Sequence, residues 1–590
     1  MNSALAASKA GAIRPSLLAL AALFALIVLA QGISAPFQKD AEPQSAEWIQ
    51  SIVRDGRWLI PEDAYGFADR KPPLFYWLAA SAAKISGGSV DEVRARIVSI
   101  VAGTILAVAV LAWTASNVGV VEGWLAFIFL IGTYGFASRA TTALTDMLLT
   151  LLLFMAYVAI FPLLNEDERA TLDESSRASR DPFMAGLWLG LSVLTKGPVA
   201  IVLCALAGAI YLSIERRSVI ERRRPLGFVR KAWVWQTLAI TLAIGAVWYV
   251  PAAIYGKERF LKILLAENFG HFMPATLGGT GESYRPFYYI GGRLLGGAFP
   301  MTLLIVPAML AFWIGEIAPE KRRAVVYQAS MTLAVLLFFS IASVKRDDYI
   351  LPALPGIAIL CASVFSLREN SERGLAAKIR DLIVLVFTVG CAVAIVVEFV
   401  LARSRPDLPI GINLQSSDAA FAAIFGQGMA SLQFPFVVCA IALIIGAAVA
   451  IWSFNRKLAL GLGLAIALTG LAMSTLWTAT LRPELAAMRS LKSFAPQVAD
   501  AVKGAPVCIP AGINYEFSFY YGAAVPALRK AECPHPTAER PVYLVATPTE
   551  FDAMRPEDRA RLKLVLKSEL IGGGGPPALY EIKSSPVTTD

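Results

Sequence analysis

Carboxylates and cations recur at the edges of long apolar runs in this chain, and that is where its chemistry is to be sought. Asp40 and Glu42 stand just beyond the first apolar run, and Asp69-Arg70-Lys71-Pro72-Pro73-Leu74-Phe75-Tyr76-Trp77 comes next. Asp146 lies near the mouth of another run, Lys196 interrupts a third, and Arg293, Lys345 and Tyr349 lie beside later ones. A carboxylate can accept the proton of an incoming hydroxyl, and a cation can neutralise a departing phosphate, so the combination suits group transfer from a phosphate ester. Pro72-Pro73 would hold the backbone after Lys71 extended, setting that cation at one depth while Phe75, Tyr76 and Trp77 anchor the adjoining segment in an interface. The plainer alternative is a stiff loop with an aromatic belt. An ionised carboxylate is costly in an apolar helix, so Asp146 needs either a role at a site or a partner such as nearby Arg139. Lys196 is either a polar turn residue or a further phosphate cation, and Lys345, Arg346, Asp347 and Asp348 either a charged loop or part of the site.

The elements that position these residues are read from composition. Of 590 residues, 56% are hydrophobic and 16% charged, against about 25% charged in soluble domains. Uncharged runs of about 18 residues recur, the length that crosses a bilayer of roughly 30 Å. Membrane helices are expected at roughly 15–33, 94–115, 119–138, 143–163, 183–195, 198–213, 232–254, 295–315, 324–343, 349–366, 379–401, 433–453 and 458–478, about thirteen in all. Lys196-Gly197-Pro198 splits one long stretch into two short helices. The fold class is therefore a polytopic α-helical membrane protein with a small C-terminal α/β extracytoplasmic domain.

Its transmembrane part is residues 1–479, with outer loops 34–93, 255–294 and 402–432, and its soluble part 480–590. Basic residues from Arg216 to Lys231, at Lys321 to Arg323 and from Arg368 to Arg380 assign those loops and the N-terminus to the cytoplasm. An odd helix count then leaves the tail outside. Lys9 and Arg14 before the first apolar run would suit a cleaved signal peptide, but its length favours a retained anchor. Ala46 to Arg54 is amphipathic and reads either as a helix lying in the membrane interface or as a packed loop helix. In the tail, Val507 to Ile509, Val542 to Ala546 and Ala578 to Ile582 read as strands, Arg555 to Lys567 as a helix, and Gly572 to Gly575 as a flexible turn.

The net charge of +9 is spread between apolar runs rather than gathered on one face, so no nucleic-acid partner is expected. Cys204, Cys361, Cys391 and Cys439 fall in apolar segments as small buried hydrophobes. Cys508 and Cys533 are the pair available for a disulfide in the tail if it faces an oxidising compartment. With two histidines, His271 and His535, no His/Cys metal cluster forms, although a carboxylate-bound Mg²⁺ or Mn²⁺ stays open.

Arg70-Lys71-Pro72-Pro73-Leu74-Phe75-Tyr76-Trp77, preceded by Gly56-Arg57-Trp58-Leu59-Ile60-Pro61, resembles the first extracytoplasmic loop of the lipid A aminoarabinose transferase and protein O-mannosyltransferase superfamily. Thr145-Asp146, Leu194 to Pro198, Glu267-Asn268, Pro286 to Tyr289 and Lys345 to Pro355 continue the match over roughly residues 40–360. The resemblance implies the GT-C fold, with a soluble domain after the thirteenth helix, and inverting transfer of a sugar from a polyprenyl-phosphate donor. It makes Asp40 and Glu42 candidates for the general base, and places Lys345 and Tyr349 among donor contacts. Departures are present: the family's acidic pair becomes Asp40-Ala41-Glu42, its following tyrosine is replaced near Ser45, and the glutamate before Lys-Pro-Pro is Arg70, with Asp69 one place earlier.

The expected partners are the bilayer, the donor and an envelope acceptor, lipid A or lipopolysaccharide core foremost, with a protein acceptor as the alternative. The expected location is the bacterial inner membrane with a periplasmic tail. A transporter or lipid flippase is the rival class, but it should carry broken helices and charges near the bilayer midplane, whereas these motifs gather at one surface.

Overall fold

A computed structural model describes residues 13–37, 41–69, 71–165, 181–215, 230–269, 285–342, 344–367, 374–404, 424–429, 431–528, 533–537, 540–570 and 575–583. Asp40, Arg70, His271, most of the first basic loop and most of the 402–432 loop lie outside these residues. Apolar sequence becomes helix, because in hydrocarbon each backbone polar group must be satisfied within its own segment. In chain order the helices are α1 (Pro15–Leu29), α2 (Ala41–Asp55), α3 (Leu74–Ile85), α4 (Glu92–Asn117), α5 (Val120–Ile131), α6 (Tyr134–Ala140), α7 (Asp146–Leu164), α8 (Pro182–Lys196) and α9 (Val199–Glu215). There follow α10 (Ala232–Phe269), α11 (Tyr289–Gly297), α12 (Thr302–Trp313), α13 (Pro319–Ile341), α14 (Leu354–Ser363), α15 (Leu375–Ser404), α16 (Phe434–Arg456) and α17 (Ala459–Leu476).

Among the described residues seven helices are long and apolar enough to cross a membrane, or up to nine if each of two bent pairs is one span. The pairs are α5 with α6, bent by 64°, and α11 with α12, bent by 105°, where single spans are expected from sequence. The split at Gly197 is observed, with α8 of 15 residues and α9 of 17. Close packing follows from small residues: a Cβ on Gly186 or Gly190 of α8 would lie 2.7 Å from Ile240 or Ile244 of α10.

Charges pair at two separate ends of the bundle. At one end Lys321, opening α13, bonds Glu122 at 2.5 Å, and Arg322 pairs with Glu215 at the close of α9. At the other end Arg96 near the start of α4 pairs with Glu42, and Lys196 closing α8 with Asp146 opening α7. The apolar face of α2 is covered by protein: Trp48, Ile49 and Ile52 are buried, and Trp48 meets Tyr76 of α3 edge-on at 5.6 Å. Phe75 and Tyr76 are buried as well, so these rings are core and not an exposed belt. Trp77 does hold a loop polar group, donating to the Trp58 carbonyl at 2.6 Å.

Beyond a π turn (Trp477–Leu481), α18 (Arg482–Arg489) and α19 (Phe494–Val502) lead to β1 (Val507–Cys508), α20 (Tyr515–Tyr521), β2 (Val542–Ala546), β3 (Leu562–Lys567) and β4 (Ala578–Ile582). The sheet order is β1-β2-β4-β3, with β1 parallel to β2 and the other pairs antiparallel. Cys508 and Cys533 form a disulfide. Where Arg555 to Lys567 is expected to be helical, only Pro556–Ala560 is, and Leu562–Lys567 pairs as a strand. Pairing with β4 along its length overrides the local helical pattern. Gln44 of α2 bonds Tyr515 at 2.8 Å, Tyr65 meets Ser518 at 2.6 Å, and Lys492 pairs with Glu92 at 2.8 Å. The tail thus docks on the first loop at the Asp146 end.

Glu47 of α2 lies in this junction, buried, with Oε2 accepting from the Ala64 N–H and Oε1 without a hydrogen-bond partner among the described residues. Burial pushes its carboxyl up to about 7. The folded state therefore binds this proton more tightly than the unfolded state does. Its stabilisation is full below pH 4.5 and is lost as pH rises through 7, by on the order of 3 kcal/mol. Glu47→Gln is expected to flatten that part of the profile, raising the melting temperature at pH 8 relative to the parent; equal shifts of both proteins between pH 5 and 8 would refute it.

Candidate active site

The segment joining α6 to α7 is pinned from several sides. Glu42 Oε1 accepts from the Ala143 N–H at 2.9 Å, Ser99 donates to the Thr142 carbonyl at 2.6 Å, and Arg482 donates to the Ser138 carbonyl at 2.9 Å. Arg482 also bonds Thr141, and Trp477 Nε1 reaches Ser138 Oγ at 3.1 Å. This fixes the last turn of α6, which carries Arg139, and Asp146 at the start of α7.

Asp146 meets Lys196 at 2.5 Å rather than Arg139, and the charges of Lys71 and Arg346 act on it as well. Lys196 lies 5.0 Å over the Tyr349 ring, which stacks on Phe339. Arg139 pairs with Asp348 at 2.7 Å, and Arg346 approaches the same carboxylate at 3.9 Å. Asp347 accepts from Tyr289 and from Arg293. Burial raises the Asp347 carboxyl, but these two donors outweigh it and hold the group below the ordinary range. Lys345 donates to the carbonyls of Arg285 and Ala342, at 2.9 and 2.5 Å, and burial lowers its ammonium. Asp69 is buried and accepts from the Lys71 N–H at 3.1 Å, shaping the turn that carries that lysine.

Glu42 is committed differently. Its side chain is 4% exposed and that of Arg96 1%, and the two share bonds of 2.9 and 3.0 Å. Burial alone would raise the Glu42 carboxyl, but the Arg96 guanidinium holds it below the ordinary range. Arg96 further donates to the carbonyls of Ile33, Ala35 and Pro36. A charge standing inside an apolar run was the signal in sequence for Arg96; nothing there linked it to Glu42.

A cavity of about 610 Å³ opens here. Six cationic side chains line it (Arg139, Arg285, Arg293, Lys345, Arg346 and Arg482), against three carboxylates (Glu42, Asp347 and Asp348). The excess of positive charge suits a phosphate, and Arg presents planar paired donors to one. A second cavity of about 480 Å³ is apolar, lined by residues such as Phe299, Ile395, Leu443 and Leu476. Tyr134, Gly296 and Trp477 line both. Arg482 and Trp477 gave no signal in the sequence, since they reach the site only by the return of a distant helix, and Tyr134, in the helix of Arg139, was one aromatic residue of an apolar run. Among the described residues no group of three or more His, Cys, Asp or Glu side chains could hold a metal ion.

This helical membrane fold has a counterpart among solved structures. The chain superposes on ArnT of Cupriavidus metallidurans bound to undecaprenyl phosphate with a TM-score of 0.67 and 18% identity, covering 97% of this chain and 100% of that one. It has that protein's fold. Residues 70–250 match the family described as dolichyl-phosphate-mannose-protein mannosyltransferase. The chain is also similar to undecaprenyl phosphate-alpha-4-amino-4-deoxy-L-arabinose arabinosyl transferases. It is 25% identical to that of Shewanella sediminis over 61% of this chain and 62% of the relative, and 27% identical to that of an Enterobacter species over 66% and 65%. The chain thus spans somewhat under two thirds of the length of these relatives. The resemblance carried by the motifs extends to sequence similarity over about 61–66% of the chain and to the fold.

Proposed function

We propose that the chain is an inverting glycosyltransferase that moves a sugar from a polyprenyl-phosphate donor to an envelope glycolipid, lipid A or lipopolysaccharide core. The single observation that carries this reading is the meeting of a cationic cavity with an apolar one. An amphiphile with a phosphate head and a hydrocarbon chain has that same division. The relatives' names point the same way.

In the reaction the acceptor oxygen forms a bond to the anomeric carbon from the face opposite the phosphate, and the bond from that carbon to the phosphate oxygen breaks. The acceptor's proton passes to a carboxylate, for which Asp146 is the assignment and Asp40 the second candidate. The polyprenyl phosphate leaves with both electrons of the broken bond, its charge met by Arg139, Arg293, Lys345 and Arg346, with Lys71 and Lys196 beside Asp146. Glu42, occupied by Arg96 and the Ala143 N–H, supports the cavity wall. The positive charge this step uses is supplied by the chain's own side chains.

The active end and the tail face the periplasm of the inner membrane in this reading, with the N-terminus in the cytoplasm and thirteen crossings. The clustering of Lys321, Arg322 and Lys231 away from Asp146 supports that orientation. Mass spectrometry of envelope glycolipids from a strain lacking the gene is expected to lose one sugar-bearing species, restored by the intact gene. An unchanged glycolipid profile would overturn the acceptor class, and a missing glycoprotein would redirect it to a protein acceptor.

A further inference from the structure

Three residues from three separate elements line both cavities: Tyr134 opening α6, Gly296 in α11, and Trp477 opening the π turn. Two of them are held. Trp477 donates to Ser138 at 3.1 Å, and its ring lies 5.4 Å from that of Tyr134. Gly296 is the third, and it is bare.

The neighbouring glycine shows that this bareness is not required by packing. A Cβ on Gly297 would meet Ile350 at 2.3 Å, and one on Gly135 would meet the Gly297 carbonyl at 2.8 Å, so those two positions let α6 and α11 touch. Among the described residues, a Cβ on Gly296 would meet nothing within 4 Å. Its backbone is helical, where a side chain is also favoured over hydrogen in an ordinary helix. Gly292, one turn earlier, likewise has open space, but it lines only the cationic cavity.

We infer that Gly296 is a specificity-determining residue, whose missing side chain keeps open, beside the packed pair of Tyr134 and Trp477, the passage by which a hydrocarbon chain leaves the phosphate-binding cavity. This rests on the phosphate-lipid reading given above. A side chain at 296 shuts the passage without disturbing the helix contacts made by Gly135 and Gly297, while the arginines of the cationic cavity stay in place. A phosphate with no chain still enters; a phosphate with a long chain does not.

The test is equilibrium binding to the purified full-length protein in nanodiscs, using undecaprenyl phosphate and methyl phosphate as the two probes. Gly296→Leu is expected to weaken undecaprenyl phosphate at least tenfold and methyl phosphate less than twofold. Gly292→Leu should weaken both, because it intrudes where the phosphate itself sits. Unchanged undecaprenyl phosphate binding by G296L would overturn the inference, and so would an equal loss of both probes. Should G296L not fold, Gly296→Ala must weaken undecaprenyl phosphate alone, by two- to threefold; an unchanged ratio of the two affinities overturns the inference. Absence of binding of either probe by the parent protein would sink the phosphate-lipid reading itself.

Discussion

Asp146→Asn is expected to lower sugar transfer by about a thousandfold, within the range that a positioned proton acceptor contributes. The substitution also removes the partner of Lys196, whose side chain is 16% exposed. Breaking a buried pair on one side leaves a charge without compensation and costs about 3–5 kcal/mol. A structural role and a chemical one therefore predict the same loss for the single variant. The double variant Asp146→Asn with Lys196→Met, read against Lys196→Met alone, separates them, since neither charge of the pair remains to be stranded and the two differ only in the carboxylate. It should recover the parent's melting temperature while transfer stays lost, measured with a polyprenyl-phosphate sugar and extracted envelope glycolipid. Transfer equal to that of Lys196→Met, together with the parent's stability, would reduce Asp146 to an ion-pair partner and move the proton acceptor elsewhere.

Glu42→Gln is expected to act first on folding. The amide can still accept from Ala143, but it leaves the Arg96 guanidinium charged, 1% exposed and without its carboxylate. About 3–5 kcal/mol should be lost, read as a drop in melting temperature and in the yield of monodisperse protein. Arg96→Met should be comparably damaging, because Arg96 also ties down the carbonyls of residues 33, 35 and 36. A Glu42→Gln protein that melts like the parent but transfers no sugar would return Glu42 to the role of general base. The contrast with Asp146 is geometric: Lys196 approaches Asp146 from one side, whereas donors take both oxygens of Glu42.

Much of the fold was legible because hydrocarbon admits few backbone solutions. A long apolar run has to be a helix, so each expected membrane segment from 15–33 to 458–478 contains one. The turn at Gly197 was readable from Lys196-Gly197-Pro198, and β2 and β4 fall where branched and aromatic residues predict strands. The bends between α5 and α6 and between α11 and α12 were not, since apolarity marks a segment without giving its direction.

The site divides in the same way. Sequence alone determined which ionisable residues stand at the edges of apolar runs, because any charge held there must be neutralised or used; Asp146 was found on that ground, with Arg139 as its possible partner, whereas Lys345 was marked by the family resemblance. Tertiary structure alone decided how they pair: Asp146 with Lys196, Arg139 with Asp348, Glu42 with Arg96. It also brought Arg482 and Trp477 back to the loop before α7. The strength of a charge pair depends on distance and dielectric, which a linear order does not contain. A cavity exists only where separate helices fail to close upon one another.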